Sequence, residues 1–471
     1  MESRLYTQLK AYSQGGIYPL HMPGHKRRLC PVPELPYDWD MTEVRGVDDL
    51  HDARGILRKA MERTARLHGA ARTWYLVNGS TCGLLAGIRA LAPARSKIIA
   101  ARNSHKSVYH AIELGGLSVR WLTPPMLEAG VYGSIPPCEV ERALQETPEA
   151  ACVVVTSPTY EGVISDIEAI GKICRRHGVP LLVDEAHGAH LGLAEDWPVS
   201  AVRLGADLVV QSAHKTLPSL TQTALLHMGK GSTIDPDEVE RQLGVFETSS
   251  PSYPLMVSLD GCTALLAQRG EKLFAQWHSR LSRFDRAVEG LSRLHVLGHG
   301  WGTEEGVFAF DPGKLPICTA GTPLTGPMLA DILLERYGFE TEMSQGDICL
   351  AMTGLGDDED ALDRLAEVLL TIDREIEASP CPGVVTLPPP GEEVYTMAEA
   401  ILRPSREVPL KAALGQVCGE YVWAYPPGVP LAAPGERVTS ELLTVMEGLT
   451  AAGTELHCSN SKKSGHILVL A

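Results

Sequence analysis

Residues 207–217 read DLVVQSAHKTL, an apolar run of strand length followed at once by Ser212, His214 and Lys215. A lysine in a loop is most often simply solvated, so the meaning of this one depends on what stands at the ends of the neighbouring runs. Between about residues 70 and 230, short β-branched runs alternate with helical stretches, the pattern of βαβ units in a parallel sheet. Strands are expected at WYLV 74–77, KIIAA 97–101, CVVVT 152–156, PLLVD 180–184 and DLVVQ 207–211. Their near-continuous apolar character suits strands covered by helices on both faces. A helix is expected at 166–177, where Ile167, Ile170 and Cys174 share a stripe.

In open α/β sheets the ligand site lies beyond the carboxyl ends of the strands. Those ends carry Asn78-Gly79-Ser80-Thr81, Asn103-Ser104-His105-Lys106-Ser107, Ser157-Pro158-Thr159-Tyr160, Asp184-Glu185-Ala186-His187 and Ser212-Ala213-His214-Lys215. So many chemically capable ends in succession exceed what loops deliver by chance. The small-residue turn Gly79-Ser80-Thr81 opening a helix offers backbone N–H groups and hydroxyls to a phosphate, although alone it reads equally well as an N-cap. Asp184 should be buried at its strand end, where an ionised carboxylate needs a cationic partner such as a protonated pyridine nitrogen. Lys215 stands one βαβ step further on, and a lysine of lowered pKa forms a Schiff base with an aldehyde. Aldehyde, aromatic nitrogen and phosphate together describe pyridoxal phosphate.

A rival reading is metallic. Asp184, Glu185, His187 and His190, with His21 and His25 elsewhere, are all capable ligands. The two histidines of DEAHGAH lack the helical i, i+4 spacing of a zinc HExxH motif, so no metal is expected. His105 and His214 are ambiguous alone: either satisfies a loop, or one stacks on a pyridine ring and the other grips the phosphate.

With these residues in view, the chain resembles the ornithine/lysine/arginine decarboxylases of fold type I. The resemblance is carried in order by PLHMPGHKR, MTEVRGVDDLH, VNGSTCGLLA, NSHKSVYHA, TSPTYEGVISDI, PLLVDEAHGAH, DLVVQSAHKTLPSLTQTALLH, TSSPSYPLMVSLD and EVPLKAALGQVCGEYVWAYPPGVPLAAPGE. It is similar to the short bacterial form, without the N-terminal receiver-like wing of the acid-inducible enzymes. The resemblance implies an α/β large domain with a mostly parallel seven-stranded sheet between helices, a small α/β domain and a C-terminal family domain. The expected boundaries are an arm at 1–40, the cofactor-binding domain at 41–295, the small domain at 296–377, a proline-rich linker at 378–391 and the last domain at 392–471.

Carried over residue by residue, the resemblance implies that Lys215 is the Schiff-base lysine and that Asp184 pairs with the pyridine nitrogen. His105 would stack on the ring, and Gly79, Ser80, Thr81, Ser212 and His214 would bind the phosphate. His187 would lie near the cofactor hydroxyl edge. Thr248 would be lent to the phosphate of a neighbouring subunit in a homodimer with shared active sites. Glu161 and Glu420 are candidate contacts for a basic amino acid substrate, arginine being favoured over lysine and ornithine by analogy with short forms. Such an enzyme releases carbon dioxide and an amine, in polyamine-type metabolism. An aminotransferase or lyase of the same fold, or a non-catalytic protein that merely holds the cofactor, are the alternatives.

Composition agrees with a large soluble enzyme. The 471 residues exceed what one core usually spans. The 44% hydrophobic and 21% charged residues are ordinary globular values. A net charge of −16 disfavours nucleic acid or an anionic membrane as the main partner. No signal-like start and no run of about 18 apolar residues is found, so a cytoplasmic protein is expected. The 11 cysteines, an odd number with no CxxC pair, read as reduced thiols. One region departs from the family pattern. Where relatives usually place arginines the chain has Ala398 and Gln416, and Lys411 replaces an acidic residue, which bears on substrate choice more than on cofactor binding.

Overall fold

The computed structural model describes residues 4–15, 20–23, 25–299, 306–378, 389–424, 429–451, 456–463 and 465–471. The bulk of the expected linker, 379–388, and residues 425–428 lie outside them. The strands, in chain order, begin with β1 (Arg72–Leu76), β2 (Lys97–Ala101), β3 (Ser118–Leu122) and β4 (Val153–Thr156). A short β5 (Val163–Ile164) precedes β6 (Leu181–Asp184), β7 (Leu208–Gln211) and β8 (Ala224–Met228). All but β5 form one seven-stranded sheet in the order β1-β8-β7-β6-β4-β2-β3. The expected strands are all present to within a few residues. β3 and β8 are additions, and β8 pairs antiparallel with both β1 and β7, so the sheet is mixed at that edge.

The chain divides into two compact units. The first comprises Met1–Leu91 and Pro180–Ala275. Here the helix Gly79–Leu91 lies against the strands so closely that a side chain at Gly83 would meet Leu76 Cδ1 at 2.6 Å and Val210 Cγ1 at 3.1 Å. The helices Arg4–Gln14 and Ile56–His68 pack into a core with Leu5, Leu9, Leu57, Tyr75, Tyr253 and Met256, all fully buried.

The second unit comprises Ala92–Val179 and Gln276–Ala471. It holds β2, β3 and β4 and the helix Ile167–His177, which Asp166 caps by accepting the Ala169 N–H at 2.9 Å. It also holds a four-stranded antiparallel sheet of β9 (His295–Val296), β11 (Lys314–Cys318), β12 (Met343–Gln345) and β13 (Ile348–Met352), flanked by the helix Gly326–Tyr337. Between β9 and β11, β10 (Ala309–Phe310) pairs with β5. The C-terminal part adds β14 (Ser405–Pro409), β15 (Val422–Ala424), β16 (Pro430–Ala432), β17 (Leu456–Cys458) and β18 (His466–Leu470). Of these, β16 pairs antiparallel with β15, setting Ala432 against Val422 and Pro430 against Trp423.

A buried ion pair anchors this C-terminal part. Arg102, just past β2, sends its guanidinium in bidentate fashion to Glu436 at 2.5 and 2.9 Å and to the Leu431 carbonyl at 3.0 Å, and it lies 5.0 Å from the Trp121 ring centroid. Both partners are almost wholly buried. Removing one would strand the other charge in a low-dielectric site. Arg102→Ala is therefore expected to destabilise the protein by about 3–5 kcal/mol, read as a lower midpoint in chemical denaturation. An Arg102→Met, Glu436→Leu double variant should recover part of that loss.

Candidate active site

The first unit brings most of the expected residues together at the carboxyl ends of β6 and β7. Parallel pairing sets Asp184 beside Val210, and the ladder continues past the strands through Glu185 N–H to Val210 O at 2.9 Å and Ser212 N–H to Ala186 O at 3.3 Å. Asp184 is buried and its Oδ1 accepts the Ala186 N–H at 3.1 Å. Burial pushes its carboxyl up from the usual range, while the Lys215 charge and the Ala186 N–H pull it down without cancelling the rise. A second cation at this carboxylate would favour its ionised form further.

Lys215 lies on the single helical turn Ala213–Thr216 that follows β7. Its Nζ is 3.0 Å from Nε2 of His187, which is buried. The ammonium can donate only, so Nε2 is the acceptor and the ring proton of a neutral His187 sits on Nδ1. Ser212 ends β7 with its backbone bonded and its buried Oγ without a hydrogen-bond partner. A buried hydroxyl with no partner is uncommon and marks a place where a polar ligand group fits.

The cradle stands at the end of β1. Gly79 adopts φ +73°, a left-handed conformation that favours glycine, and its N–H bonds the Gln222 carbonyl at 2.9 Å. The helix that starts there leaves the N–H groups that follow Gly79 without intrahelical partners, with Ser80 half-buried and Thr81 exposed. His214 is fixed by its Nδ1, 2.8 Å from the Thr223 carbonyl. Because a carbonyl only accepts, Nδ1 carries the proton, and Nε2 donates to a phosphate only when the ring is doubly protonated. Thr248 lies by the same cradle: its N–H reaches Asn78 Oδ1 at 3.3 Å, and its carbonyl is 2.8 Å from Nε2 of His51.

Glu247, not singled out by the sequence, closes this corner by accepting the Val77 N–H at 2.7 Å. Burial raises its carboxyl to about 7, the Val77 N–H and His51 opposing that rise. The folded value thus exceeds the unfolded one. An acid of this kind stabilises the fold least when ionised, so its contribution is intact below about pH 4.5 and is lost as pH rises to about 7. Glu247→Gln should remove that slope, amounting to about 3 kcal/mol between the two limits. Denaturation midpoints of wild type and variant across this pH range check it; parallel curves would contradict it.

Three expected residues belong to the second unit. His105 caps the helix Lys106–Gly115, its Nδ1 accepting the Ser107 N–H at 3.3 Å, so the proton of a neutral ring is on Nε2. Glu161 is buried and its carboxyl is raised by burial, against the pull of its own backbone N–H, Thr159 and Lys314. Glu420 is fully buried, and its two oxygens accept the N–H groups of Asn460, Ser461 and Leu468 at 2.8, 2.8 and 2.7 Å. It pins the C-terminal strands together. The histidines of the rival metal reading are engaged otherwise: His187 faces Lys215, His25 Nε2 lies 3.2 Å from Asp40, and His190 packs edge-on against Trp197. Among the described residues no group of three or more His, Cys, Asp or Glu could hold a metal ion. Nor is any helix among them long and apolar enough to cross a membrane.

A row of buried polar residues, Thr73, His227 and Gln211 on the sheet with Glu185 just past β6, was not read as a unit from the sequence; His227, the lone polar residue in ALLHM, is the signal that could have found it, since a buried polar group must be paired.

Orn/Lys/Arg decarboxylase families match the chain twice: the major domain over residues 3–314 and the C-terminal domain over residues 386–456. The Bacillus subtilis (strain 168) protein YaaO is 33% identical over 493 residues, spanning 100% of this chain and 98% of its own. An arginine decarboxylase of the same strain is 31% identical over 470 residues, with 96% of each chain covered. The solved structure of the Escherichia coli constitutive lysine decarboxylase matches with a TM-score of 0.82 at 21% identity, over 100% of this chain and 82% of that one. Ureidoglycine-glyoxylate aminotransferase from Bacillus subtilis shares the fold over 70% of this chain and 87% of its own, with a TM-score of 0.55 at 15% identity. Orn/Lys/Arg decarboxylases and their fold type I neighbours are pyridoxal phosphate-dependent. Since the major-domain model alone spans residues 3–314 and a relative is 33% identical along the whole chain, the chain belongs to the Orn/Lys/Arg decarboxylase family.

Proposed function

We propose that the chain is a pyridoxal phosphate-dependent decarboxylase of a basic amino acid, with arginine as the favoured substrate, releasing the amine and carbon dioxide. The observation that carries this reading is the meeting of buried Asp184 with Lys215, whose Nζ lies 3.0 Å from His187. The relatives named arginine decarboxylase support the choice of arginine.

When bound, pyridoxal phosphate supplies an aldehyde for the amino group and a ring that takes up the electron pair left by departing carbon dioxide. Asp184 keeps a proton on the ring nitrogen, which a carboxylate does by favouring the adjacent cation. Lys215 Nζ would hold the cofactor at rest and afterwards deliver a proton to Cα, His105 being the alternative donor. His187 exchanges a proton with Nζ across their hydrogen bond. The N–H groups and hydroxyls of Ser80 and Thr81 and Ser212 Oγ would hold the phosphate, with Gly79 shaping the turn and His214 beside them. His105 would stack on the ring.

Thr248 serves the phosphate of a partner subunit in a homodimer. Glu161 stays a candidate for the substrate cation, whereas Glu420, already saturated by three backbone donors, acts on the fold. We place the enzyme in the cytoplasm and in polyamine-type metabolism. Purified protein with the cofactor should turn over arginine with a kcat/KM at least about tenfold above lysine and ornithine, a difference of about 1.4 kcal/mol in transition-state binding. Preference for either of those would overturn the substrate assignment.

A further inference from the structure

One face of the first unit's strands carries a polar row through an otherwise apolar interior. Thr73 on β1 pairs directly with His227 on β8. Gln211 on β7 lies diagonally across from His227, and Glu185 follows the end of β6. The contacts are Thr73 Oγ1 to His227 Nδ1 at 2.7 Å, His227 Nε2 to Gln211 Oε1 at 3.0 Å, and Gln211 Nε2 to Glu185 Oε2 at 2.6 Å. Ser200 Oγ at 2.6 Å and the Ala201 N–H at 2.7 Å complete the set of donors to Glu185.

The directions of these bonds are mutually determined. With Glu185 ionised its oxygens accept only, so Gln211 presents its NH₂ to Glu185 and its oxygen to His227; burial raises this carboxyl to about 7, against the pull of the Ala201, Ser200 and Gln211 donors. His227 must then donate from Nε2 and accept the Thr73 hydroxyl at Nδ1. Burial lowers the His227 pKa well below that of a free histidine, which keeps the ring neutral and preserves this order. All four side chains are buried, so each bond is shielded from water.

The position of the row gives it a task. Glu185 is bonded directly to Asp184 along the chain, and Gln211 directly precedes the segment Ser212–Lys215. Side chains alternate along a strand, so Glu185 and Gln211 point away from Asp184 and Ser212 and need not touch a ligand. We propose that the Glu185–Gln211 bridge is a positioning device that clamps the ends of β6 and β7 and so fixes the relation of Asp184 to the Ser212–Lys215 segment. This rests on the reading of Asp184 and Lys215 as the reactive pair.

The test uses a swap. Glu185→Gln leaves one acceptor oxygen where two served Ala201 and Gln211, so an amide NH₂ comes to face one of those donors and the bridge is weakened. Adding Gln211→Glu restores it with the carboxylate on the other strand, still able to accept from His227. In the cofactor-free protein, amide exchange of residues 207–217 should speed up about tenfold in Glu185→Gln and return to the wild-type rate in the double variant. In the loaded protein kcat should fall about tenfold in Glu185→Gln with KM little changed, and recover in the swap. Ser200→Ala, which removes one donor, should shift both readouts in the same direction and serves if Glu185→Gln does not fold. Unchanged exchange and kcat in Glu185→Gln, or a folded swap that restores neither, would overturn the proposal. Wild-type protein that binds no pyridoxal phosphate would overturn the reading of the reactive pair, while the exchange measurement would still decide the clamp.

Discussion

Replacing Lys215 by alanine is expected to lower turnover on the order of 10⁴-fold or more, the scale seen when a covalent group is removed from a catalytic set. Lys215 Nζ stands on the only turn of helix between β7 and β8, held at 3.0 Å from His187. The borohydride-reducible absorbance of the loaded protein should vanish with it, because reduction fixes the cofactor at an amine and alanine has none. Retained turnover, or a reduced adduct on another lysine, would remove Lys215 from its assigned role. The fold should be undisturbed, since the side chain is only partly buried.

Asp184→Ala should be nearly as damaging for a different reason. A ring nitrogen protonated in a buried site loses its counter-charge, and stranding a buried charge costs about 3–5 kcal/mol. At 1.4 kcal/mol per factor of ten this is about 10²- to 4 × 10³-fold, divided between weaker cofactor binding and a lower kcat. The burial that raises the Asp184 carboxyl makes the direction certain: a charge placed there survives only when paired. Fluorescence titration with pyridoxal phosphate and single-turnover kinetics separate the two losses. Wild-type values for both would refute the pairing.

The site was legible at the strand ends because the strands are continuous apolar runs, and the first polar residue after each run stands out. Asp184, Ser212 and Lys215 are found this way without any three-dimensional information. β3 and β8 were less visible, for SVRWL and ALLHM each carry a charged or polar residue inside the run. The partners that satisfy His227, Thr73 and Gln211, come from other strands, and no local window contains them. The antiparallel setting of β8 has a local cause that also needs the structure to be seen. Residues 212–223 hold only the turn Ala213–Thr216, which is too little to carry the chain back across the sheet for a parallel strand.

Glu420 shows the opposite failure. An acid in a family-like segment looked available for a substrate cation, yet three backbone N–H groups from residues 460–468 saturate it. Spacing along the chain cannot reveal that a carboxylate is consumed by backbone donors. The altered segment with Ala398, Lys411 and Gln416 is similar: Gln416 accepts from Arg406 at 2.7 Å and donates to the Ala412 carbonyl at 2.5 Å, contacts internal to the C-terminal part.

Arginine labelled with carbon-13 at its carboxyl group, incubated with the purified protein and pyridoxal phosphate, decides the matter most directly. Labelled carbon dioxide should appear in equal amount to the decarboxylated amine, with no keto acid added as acceptor. A keto acid product that forms only when an acceptor is supplied, or a loaded chromophore that releases no carbon dioxide from arginine, lysine or ornithine, would contradict the assignment.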